Sequence, residues 1–234
     1  MNAKAIKPPP SRGIAVLIAI GIVIFAGKSD SENLADAGAF DEPVTLWLDH
    51  IRTCRSGVFS IQANFTQELL RRLGPKEKPD TGIVKVRRGG RVRLRYDKPS
   101  RRLIVSDGNT LWAYDPASKT VIKGSAGRSL MPRLFNYFLD DEPGDSFVAR
   151  HLGGAVHPED GSAAIELVPK ERDPVIAKVV LTLRQECPCV QRVLAIDHTG
   201  AVIRVTLDKI RTNIGLGKNL FTFKPPPGTS IIRP

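Results

Sequence analysis

The middle of the chain alternates apolar and polar residues with a period of two, and this pattern limits the possible folds more than any other feature. It covers three successive segments: 82–88, 92–99 and 105–116. The residues between and at the ends of these segments include Gly, Pro, Asn and Asp, which are typical of turns between antiparallel strands. The sequence therefore predicts an antiparallel β-meander at its centre.

The polar face of the second segment is strongly cationic, because Arg91, Arg93 and Arg95 alternate with its apolar residues. The whole chain carries a formal net charge of +11. Such a face is either a solvated surface or a docking patch for an acidic partner. A nucleic-acid surface is disfavoured, because the segment lacks the exposed aromatic side chains on which bases stack. We therefore expect no nucleic-acid partner.

Two segments have a helical period instead. The first begins with Pro43 and places its apolar residues on one stripe: Trp47, Ile51, Cys54 and Val58. The second has a wider apolar face: Leu130, Met131, Leu134, Phe135, Phe138 and Leu139. Each helix therefore needs an apolar surface to cover.

Further alternating segments bring the count to about eleven strands and two or three helices. The last of these segments is Leu220–Phe223. Hydrophobic residues make up 41% of the chain and charged residues 25%, which is ordinary for a globular protein. Ten or more antiparallel strands tend to curl, so the sheet should have a concave apolar face that the helices cover. We expect one domain over residues 43–234.

The N-terminus has the layout of a secretory signal, since three cations precede an apolar run over residues 13–26. That run is short for a transmembrane helix, which needs about 20 residues. We expect a signal peptide over residues 1–26, with cleavage as late as residue 39, and a linker over residues 27–42. An uncleaved membrane anchor is the alternative.

The three cysteines are an odd number for an exported protein, so at least one stays free or pairs between chains. In an extended segment Cys187 and Cys189 would lie near or beyond the usual disulfide limit of about 7 Å. A bond from Cys54 to either of them is geometrically easier, and three unpaired thiols are the alternative. A zinc site would need a fourth ligand at a suitable spacing, and the sequence shows none.

No catalytic motif is present in the sequence. The segment Gly215–Lys218 lacks the leading glycine of a phosphate-binding loop, and there is no Gly-x-Ser-x-Gly elbow. The four histidines have no paired spacing typical of metal ligands. We therefore expect neither an enzyme nor a cofactor or a metal.

Five short motifs resemble those of the LolA family, and they occur in the family's order. They are Phe65–Gln67, Gly82–Arg88, Tyr96–Pro99, Ser106–Asp115 and Phe221–Gly228. The segment Ser106–Asp115 is the most specific of them. The resemblance covers roughly residues 46–232 and is sparse between residues 146 and 216. LolA proteins are periplasmic carriers of Gram-negative bacteria that move lipoproteins from the inner to the outer membrane.

The resemblance implies a mainly β (α+β) fold, namely a half-closed antiparallel β-barrel of about eleven strands with a lid of two to three helices over an apolar cavity. It implies a periplasmic chaperone that holds the acyl chains of lipoproteins. Its partners would be acylated lipoproteins, an inner-membrane ABC lipoprotein-releasing transporter and an outer-membrane acceptor lipoprotein. We expect a monomer.

The resemblance also implies roles for individual residues. Arg88 occupies the position of the family's lid-latching arginine, whose side chain bonds to the helices in the closed state. The family usually has proline after this arginine, whereas here Gly89 and Gly90 follow it. The residues expected to line the cavity or lid are Trp47, Ile51, Val92, Leu94, Trp112, Leu130, Met131, Leu134 and Phe138. Sequence alone does not separate cavity lining from ordinary core packing at five of these positions: Trp47, Ile51, Leu130, Leu134 and Phe138. For Trp112 the alternative is a half-buried aromatic residue of a strand.

Two other functions stay open on the same fold. One is a lipid-sensing regulatory module, which a retained N-terminal anchor would favour because a shuttle must diffuse freely. The other is a carrier for a glycolipid or another amphiphile instead of a lipoprotein.

Overall fold

Twelve strands form a single sheet in the computed structural model, which describes residues 42–70, 77–97, 99–139, 147–152 and 163–233. All of these residues belong to one compact unit, Gly38–Pro234. The predicted signal peptide, residues 1–26, lies outside the described residues, as does nearly all of the predicted linker.

The strands and helices have the following bounds. The strands are β1 (Ser60–Leu70), β2 (Asp80–Arg87), β3 (Arg91–Tyr96), β4 (Leu103–Asp107), β5 (Thr110–Asp115), β6 (Thr120–Ser125), β7 (Phe147–His151), β8 (Ala163–Pro169), β9 (Ile176–Leu183), β10 (Val190–Asp197), β11 (Val202–Thr212) and β12 (Ser230–Ile232). The α-helices are α1 (Glu42–Ser56) and α2 (Leu130–Asn136). Two short 3₁₀ helices are η1 (Ala126–Arg128) and η2 (Lys218–Phe221).

The order of strands across the sheet is β12-β6-β5-β4-β3-β2-β1-β11-β10-β9-β8-β7. Every neighbouring pair is antiparallel except β12 and β6, which are parallel. The long strands β1 and β11 pair at the centre and join two meanders, β1 to β6 and β7 to β11. The sheet remains open, because its edge strands β7 and β12 do not pair with each other.

Strand register divides the side chains of the sheet between two faces. Val84, Leu94 and Ile104 are cross-strand partners and are buried, so they lie on the inner face. Trp112 belongs to the other face, because it alternates with the buried Leu111 and Ala113. The expectation that Trp112 lines the apolar interior is therefore wrong: strand alternation turns its side chain to the outer face.

Both α-helices cover the inner face. The buried stripe of α1 consists of Val44, Leu48, Ile51 and Cys54. The second helix and the turn after it bury almost every apolar residue: Leu130, Leu134, Phe135, Tyr137, Phe138 and Leu139. These side chains and the inner face form one hydrophobic cluster. Helix α2 ends at Asn136, before the last residues of the predicted apolar face.

The C-terminal segment returns across the outer face. Arg93 Nη1 donates to the carbonyl oxygen of Leu220 at 3.1 Å, and the rings of Tyr114 and Phe223 lie 5.8 Å apart. The predicted strand at Leu220–Phe223 is wrong, because η2 occupies the segment up to Phe221. The twelfth strand instead follows Pro225–Pro227 and adds to the edge of β6.

Candidate functional site

The interior between the helices and the sheet is lined by aromatic rings in contact. The ring of Phe65 on β1 lies 5.0 Å from that of Tyr96 and 6.2 Å from that of Phe135 on α2. Phe135 in turn lies 6.0 Å from Phe138. Because all four residues are at most 4% exposed, α2 fills the concave face of the sheet with its own side chains.

A small cavity remains below the end of α1. Its volume is about 10 Å³, and its lining includes Val58, Ile61, Phe138 and Val190. A space of this size holds at most one water molecule. An acyl chain could therefore enter this region only if the covering helices moved away from the sheet.

One buried polar pair lies at the far end of this interior. The hydroxyl of Tyr96 donates a 2.7 Å hydrogen bond to Oε1 of Gln67, and both side chains are buried. Burial raises the pKa of the Tyr96 hydroxyl well above its usual value, so it stays a neutral donor. The guanidinium of Arg102 lies over the Tyr96 ring, 4.6 Å from its centroid.

Arg88 binds the C-terminal end of α1. Its Nε donates to the carbonyl oxygen of Val58 at 2.7 Å, and its Nη2 donates to that of Arg55, which lies in the last turn of the helix. Its backbone N–H donates to the carbonyl oxygen of Phe59 at 3.2 Å. The last carbonyls of a helix lack intrahelical partners and carry partial negative charge, so a guanidinium there is favourable. The β2–β3 turn is thereby fastened to α1.

The β2–β3 turn needs glycine after Arg88. Gly89 and Gly90 have φ values of +82° and +68°, which proline, fixed near −65°, does not adopt. The hydroxyl of Ser106 donates to the carbonyl oxygen of Gly90 at 2.8 Å and accepts from the N–H of Gly108. Glycine therefore stands in place of the family's usual proline for a local reason. The backbone of this turn is left-handed, and Ser106 joins the turn to the β4–β5 turn by hydrogen bonds.

A disulfide fastens α1 to the other half of the sheet. Cys54 on α1 is bonded to Cys187 in the β9–β10 loop, with the two Cα atoms 5.2 Å apart. The third cysteine, Cys189, is a buried free thiol. His50 adds a hydrogen bond of 3.2 Å between its Nε2 and the carbonyl oxygen of Arg184. The end of α1 is thus held from both sides of the concave face.

Helix α2 is tied to the β8–β9 loop by an ion pair. The Arg133 guanidinium donates two hydrogen bonds to the two carboxylate oxygens of Asp173. The same carboxylate accepts from the N–H groups of Val175 and Ile176, both at 2.8 Å. Burial alone would raise the pKa of Asp173, but these hydrogen bonds outweigh it and hold the pKa below its usual value. Asp173 is therefore ionised and well placed to hold α2.

Comparisons with known proteins identify the family. Residues 56–224 match the family described as "Outer membrane lipoprotein carrier protein LolA". The chain belongs to the LolA family. A relative from Dechloromonas aromatica, named Outer-membrane lipoprotein carrier protein, is 28% identical over 202 residues, which cover 85% of this chain and 89% of the relative. One of the same name from Methylococcus capsulatus is 31% identical over 189 residues, covering 79% and 83%.

Among solved structures, a LolA superfamily protein from Nitrosomonas europaea matches with a TM-score of 0.46 and 13% identity, covering 77% of this chain and 97% of that one. Membership of the LolA family confirms the resemblance seen in the sequence motifs. The open twelve-stranded sheet with two helices over its concave face agrees with the mainly β, half-closed and helix-covered fold that the resemblance implied.

Within this LolA fold, six of the nine residues expected to line the cavity or lid are buried together in the hydrophobic cluster: Ile51, Val92, Leu94, Leu130, Leu134 and Phe138. Trp47 and Met131 are partly buried and pack against the same cluster. Trp112, on the outer face, is not among them.

Sequence patterns did not indicate the roles of some residues of the site. The roles of Phe65 in the interior and of Arg133 and Asp173 at the edge of α2 were not predicted. Phe65 was visible as part of a family motif and as an inward position of β1, so alternation could have placed it. The pairing of Arg133 with Asp173 had no local signal, because it joins a helix to a distant loop.

The outer face of the LolA sheet carries a cationic cleft. It has a volume of about 340 Å³ and is lined by Gln62, Ile83, Lys85, Arg93 and Arg95. Lys85 and Arg93 are directly opposite each other on β2 and β3, a like-charge pairing that disfavours the sheet. Burial and the neighbouring Arg95 lower the pKa of Arg93. An acidic group in this cleft would relieve that repulsion.

In the part of the chain that the structure describes, no helix combines the length and the apolar character needed to cross a membrane.

Proposed function

We propose that this protein is a periplasmic carrier that binds the acyl chains of lipoproteins released from the inner membrane and delivers them to the outer membrane. The observation that supports this most is the apolar interior of the open sheet, which two helices cover. The names of its LolA relatives support lipoprotein as the cargo. The same relatives favour a binding protein over an enzyme.

The energetics of acyl chains require such a site. Burial of each CH₂ group is worth about 0.8 kcal/mol, so a chain of about 16 carbons gains roughly 13 kcal/mol in a membrane. A carrier must therefore offer comparable apolar surface and must still release it. Two arrangements of the cover that differ by only a few kcal/mol meet both needs.

We propose that α2 moves more than α1 when cargo enters. The end of α1 is held by the Arg88 hydrogen bonds and by the Cys54–Cys187 disulfide. Helix α2 is held by apolar contacts and by its ion pair to Asp173. When α2 leaves the concave face, the surface under Phe135 and Phe138 becomes available to an acyl chain, which replaces the apolar contacts that the helix gives up.

We also propose the partners that such a shuttle needs. It would receive cargo from an inner-membrane ABC transporter and pass it to an outer-membrane acceptor lipoprotein, acting as a monomer. The cationic residues Arg91, Arg93 and Arg95 are candidates for docking an acidic surface of one of these partners. Charge complementarity of this kind mainly raises the rate of association and depends on salt.

A release assay tests the proposed function. Spheroplasts that carry newly made acylated lipoprotein are incubated with the purified protein, and the soluble fraction is examined for a one-to-one complex. We expect such a complex, and we expect its loss with Leu134→Glu, which places a charge in the interior. The matched control is Trp112→Glu on the outer face. Binding of free lipid or glycolipid without release of lipoprotein would instead support a sensor or a different cargo.

A further inference from the structure

Four side chains that ligate soft metal ions converge where the end of α1 meets the β9–β10 loop. His50 and Cys54 lie one turn apart on the helix, and Cys187 and Cys189 flank Pro188 in the loop. The ligand atoms of His50, Cys54 and Cys189 all lie within 4.8 Å of one another, and Cys187 Sγ is bonded to Cys54 Sγ. We propose that these four side chains bind one Zn²⁺ ion when the disulfide is reduced.

The set of donors is the one that zinc prefers. Three thiolates and one imidazole form a common tetrahedral site, with bonds of about 2.3 Å to sulfur and 2.0–2.1 Å to nitrogen. Ligand atoms in such a site are about 3.7 Å apart. His50 Nε2 and Cys54 Sγ are already 3.6 Å apart. For the ligand atoms of His50, Cys54 and Cys189 the remaining contraction is therefore at most about 1 Å. The sulfurs of Cys54 and Cys187, which are bonded to each other in this structure, must separate to take two positions around the ion.

His50 supplies the ligand that the cysteine spacing alone did not reveal. It stands four residues before Cys54 on the same face of α1, far from the Cys187–Cys189 loop in sequence but beside it in space. Its Nε2 now contacts the carbonyl oxygen of Arg184 at 3.2 Å. To bind a metal through Nε2, the ring must give up this contact and leave the Nε2 lone pair free, with the ring N–H on Nδ1.

The surroundings suit a buried metal thiolate. Cys54 and Cys189 are 6% and 1% exposed, and the small cavity of about 10 Å³ lies against both. Three thiolates around Zn²⁺ carry a net charge of −1, and the guanidiniums of Arg55 and Arg184 lie close enough to favour the thiolate of Cys189. Burial raises the pKa of the Cys189 thiol by more than the two guanidiniums lower it. A metal ion that binds the sulfur displaces the proton.

The oxidised and reduced forms exclude each other chemically. A dithiol or phosphine reductant supplies two electrons, and two protons are taken up as the disulfide becomes the thiols of Cys54 and Cys187. Binding of Zn²⁺ then releases three protons from the three thiols. Reoxidation by a disulfide oxidant, which accepts two electrons as the Cys54–Cys187 bond forms again, would expel the metal, because bonded sulfurs are no longer thiolates. Either state holds the end of α1 to the β9–β10 loop.

The test uses the purified full-length protein under anaerobic conditions, and it does not depend on lipoprotein carriage. The phosphine-reduced protein is titrated with Co²⁺ and then with Zn²⁺. We expect one equivalent of Co²⁺ to bind with thiolate-to-cobalt charge transfer and the visible bands of tetrahedral cobalt, and Zn²⁺ to displace it. The disulfide form should show neither. Cys189→Ser and His50→Ala should each weaken binding at least about tenfold, while the control His151→Ala should not.

Circular dichroism and cysteine alkylation distinguish loss of the metal site from loss of the fold. Cys189→Ser retains the disulfide pair, so its fold is verified by circular dichroism in the oxidised state before reduction. In the wild-type protein, bound Zn²⁺ should protect Cys54, Cys187 and Cys189 from alkylation. Absence of tetrahedral cobalt bands in the reduced protein would overturn the proposal, as would unprotected cysteines. Unchanged binding by His50→Ala would overturn the four-ligand site.

Discussion

The guanidinium of Arg88 donates a 2.7 Å hydrogen bond from Nε to the carbonyl oxygen of Val58, just beyond the end of α1. This bond, with the one from Nη2 to Arg55, places a positive charge on the negative end of the helix dipole. It also joins the β2–β3 turn to α1, one of the two helices that cover the concave face. A single side chain thus links the sheet to one of the helices that cover it.

Replacing Arg88 by leucine should remove both side-chain bonds to the end of α1. Because Arg88 is exposed, we expect a loss of only about 1–2 kcal/mol in the free energy of unfolding, measured in urea. Loss of these bonds frees α1 to leave the concave face together with α2, so the open arrangement becomes relatively more favourable and bound cargo should be retained longer before transfer. The control is Arg128→Leu, which replaces an exposed arginine of η1. A wild-type rate of cargo transfer in Arg88→Leu would contradict the latch.

Removing the disulfide should loosen α1 without changing the sheet. The bond closes a loop with a sequence separation of 133 residues, and its loss should lower the free energy of unfolding by about 2–5 kcal/mol. We expect this from the double variant Cys54→Ser, Cys187→Ser in urea denaturation. Cys189→Ser, which keeps the disulfide, should lose much less. Equal losses in the two variants would mean that the covalent tether is not what stabilises this end of the helix.

The ion pair of α2 should make stability depend on pH in the acid range. The pKa of Asp173 is held below its usual value of 3.8 in the folded protein. A depressed carboxyl pKa adds stability that is complete above the unfolded pKa and is lost as the pH falls through the folded pKa. The wild type should therefore exceed Asp173→Asn in unfolding free energy at pH 6, and the difference should shrink below pH 3.8.

The comparison needs a matched surface control. Asp49→Asn removes the carboxylate of an exposed pair with Arg52 on α1, where both side chains are about 60% exposed, and it should have little effect at any pH. If the difference between wild type and Asp173→Asn were constant from pH 3 to pH 7, ionisation of Asp173 would not be the source of its contribution.

The glycine at the β4–β5 turn should be intolerant of any side chain. Gly108 has a φ of +106°, and a Cβ there would lie 2.3 Å from the carbonyl oxygen of Gly89. We expect Gly108→Ala to cost about 1–3 kcal/mol, since it adds a clash to a strained backbone. Gly124→Ala is the control, because a Cβ at Gly124 meets nothing within 4 Å. Equal stability of the two variants in thermal unfolding would show that position 108 does not require glycine.

Period and spacing predicted much of this fold correctly. The alternation of Val92, Leu94 and Tyr96 placed β3 and its buried face, and the helical spacing through Ile51 and Cys54 placed α1. These predictions succeed because a strand or helix that is buried on one side repeats that burial in its sequence. The same rule, applied to β5, puts Trp112 on the outer face. The resemblance to the family had suggested a cavity or lid role for it, and a half-buried strand aromatic was the alternative.

Other features depend on contacts between distant segments and leave no local pattern. The partner of Cys54 could be either Cys187 or Cys189 in sequence, and only the path of the β9–β10 loop selects Cys187. The last predicted strand became η2 because the segment crosses the outer face, where the carbonyl of Leu220 meets Arg93, instead of joining an edge. Tertiary packing therefore determines both the disulfide partner and the conformation of the segment around Leu220.

In the loaded carrier, acyl chains should occupy the interior under α2. Photocrosslinking tests this placement from a benzoylphenylalanine at Met131, which packs against the hydrophobic cluster, or at Trp112 on the outer face. Each protein is loaded with a lipoprotein that carries radiolabelled acyl chains and is then irradiated. We predict labelling of the acyl chains from position 131 and none from position 112. Equal labelling from both positions, or labelling from position 112 alone, would contradict the account.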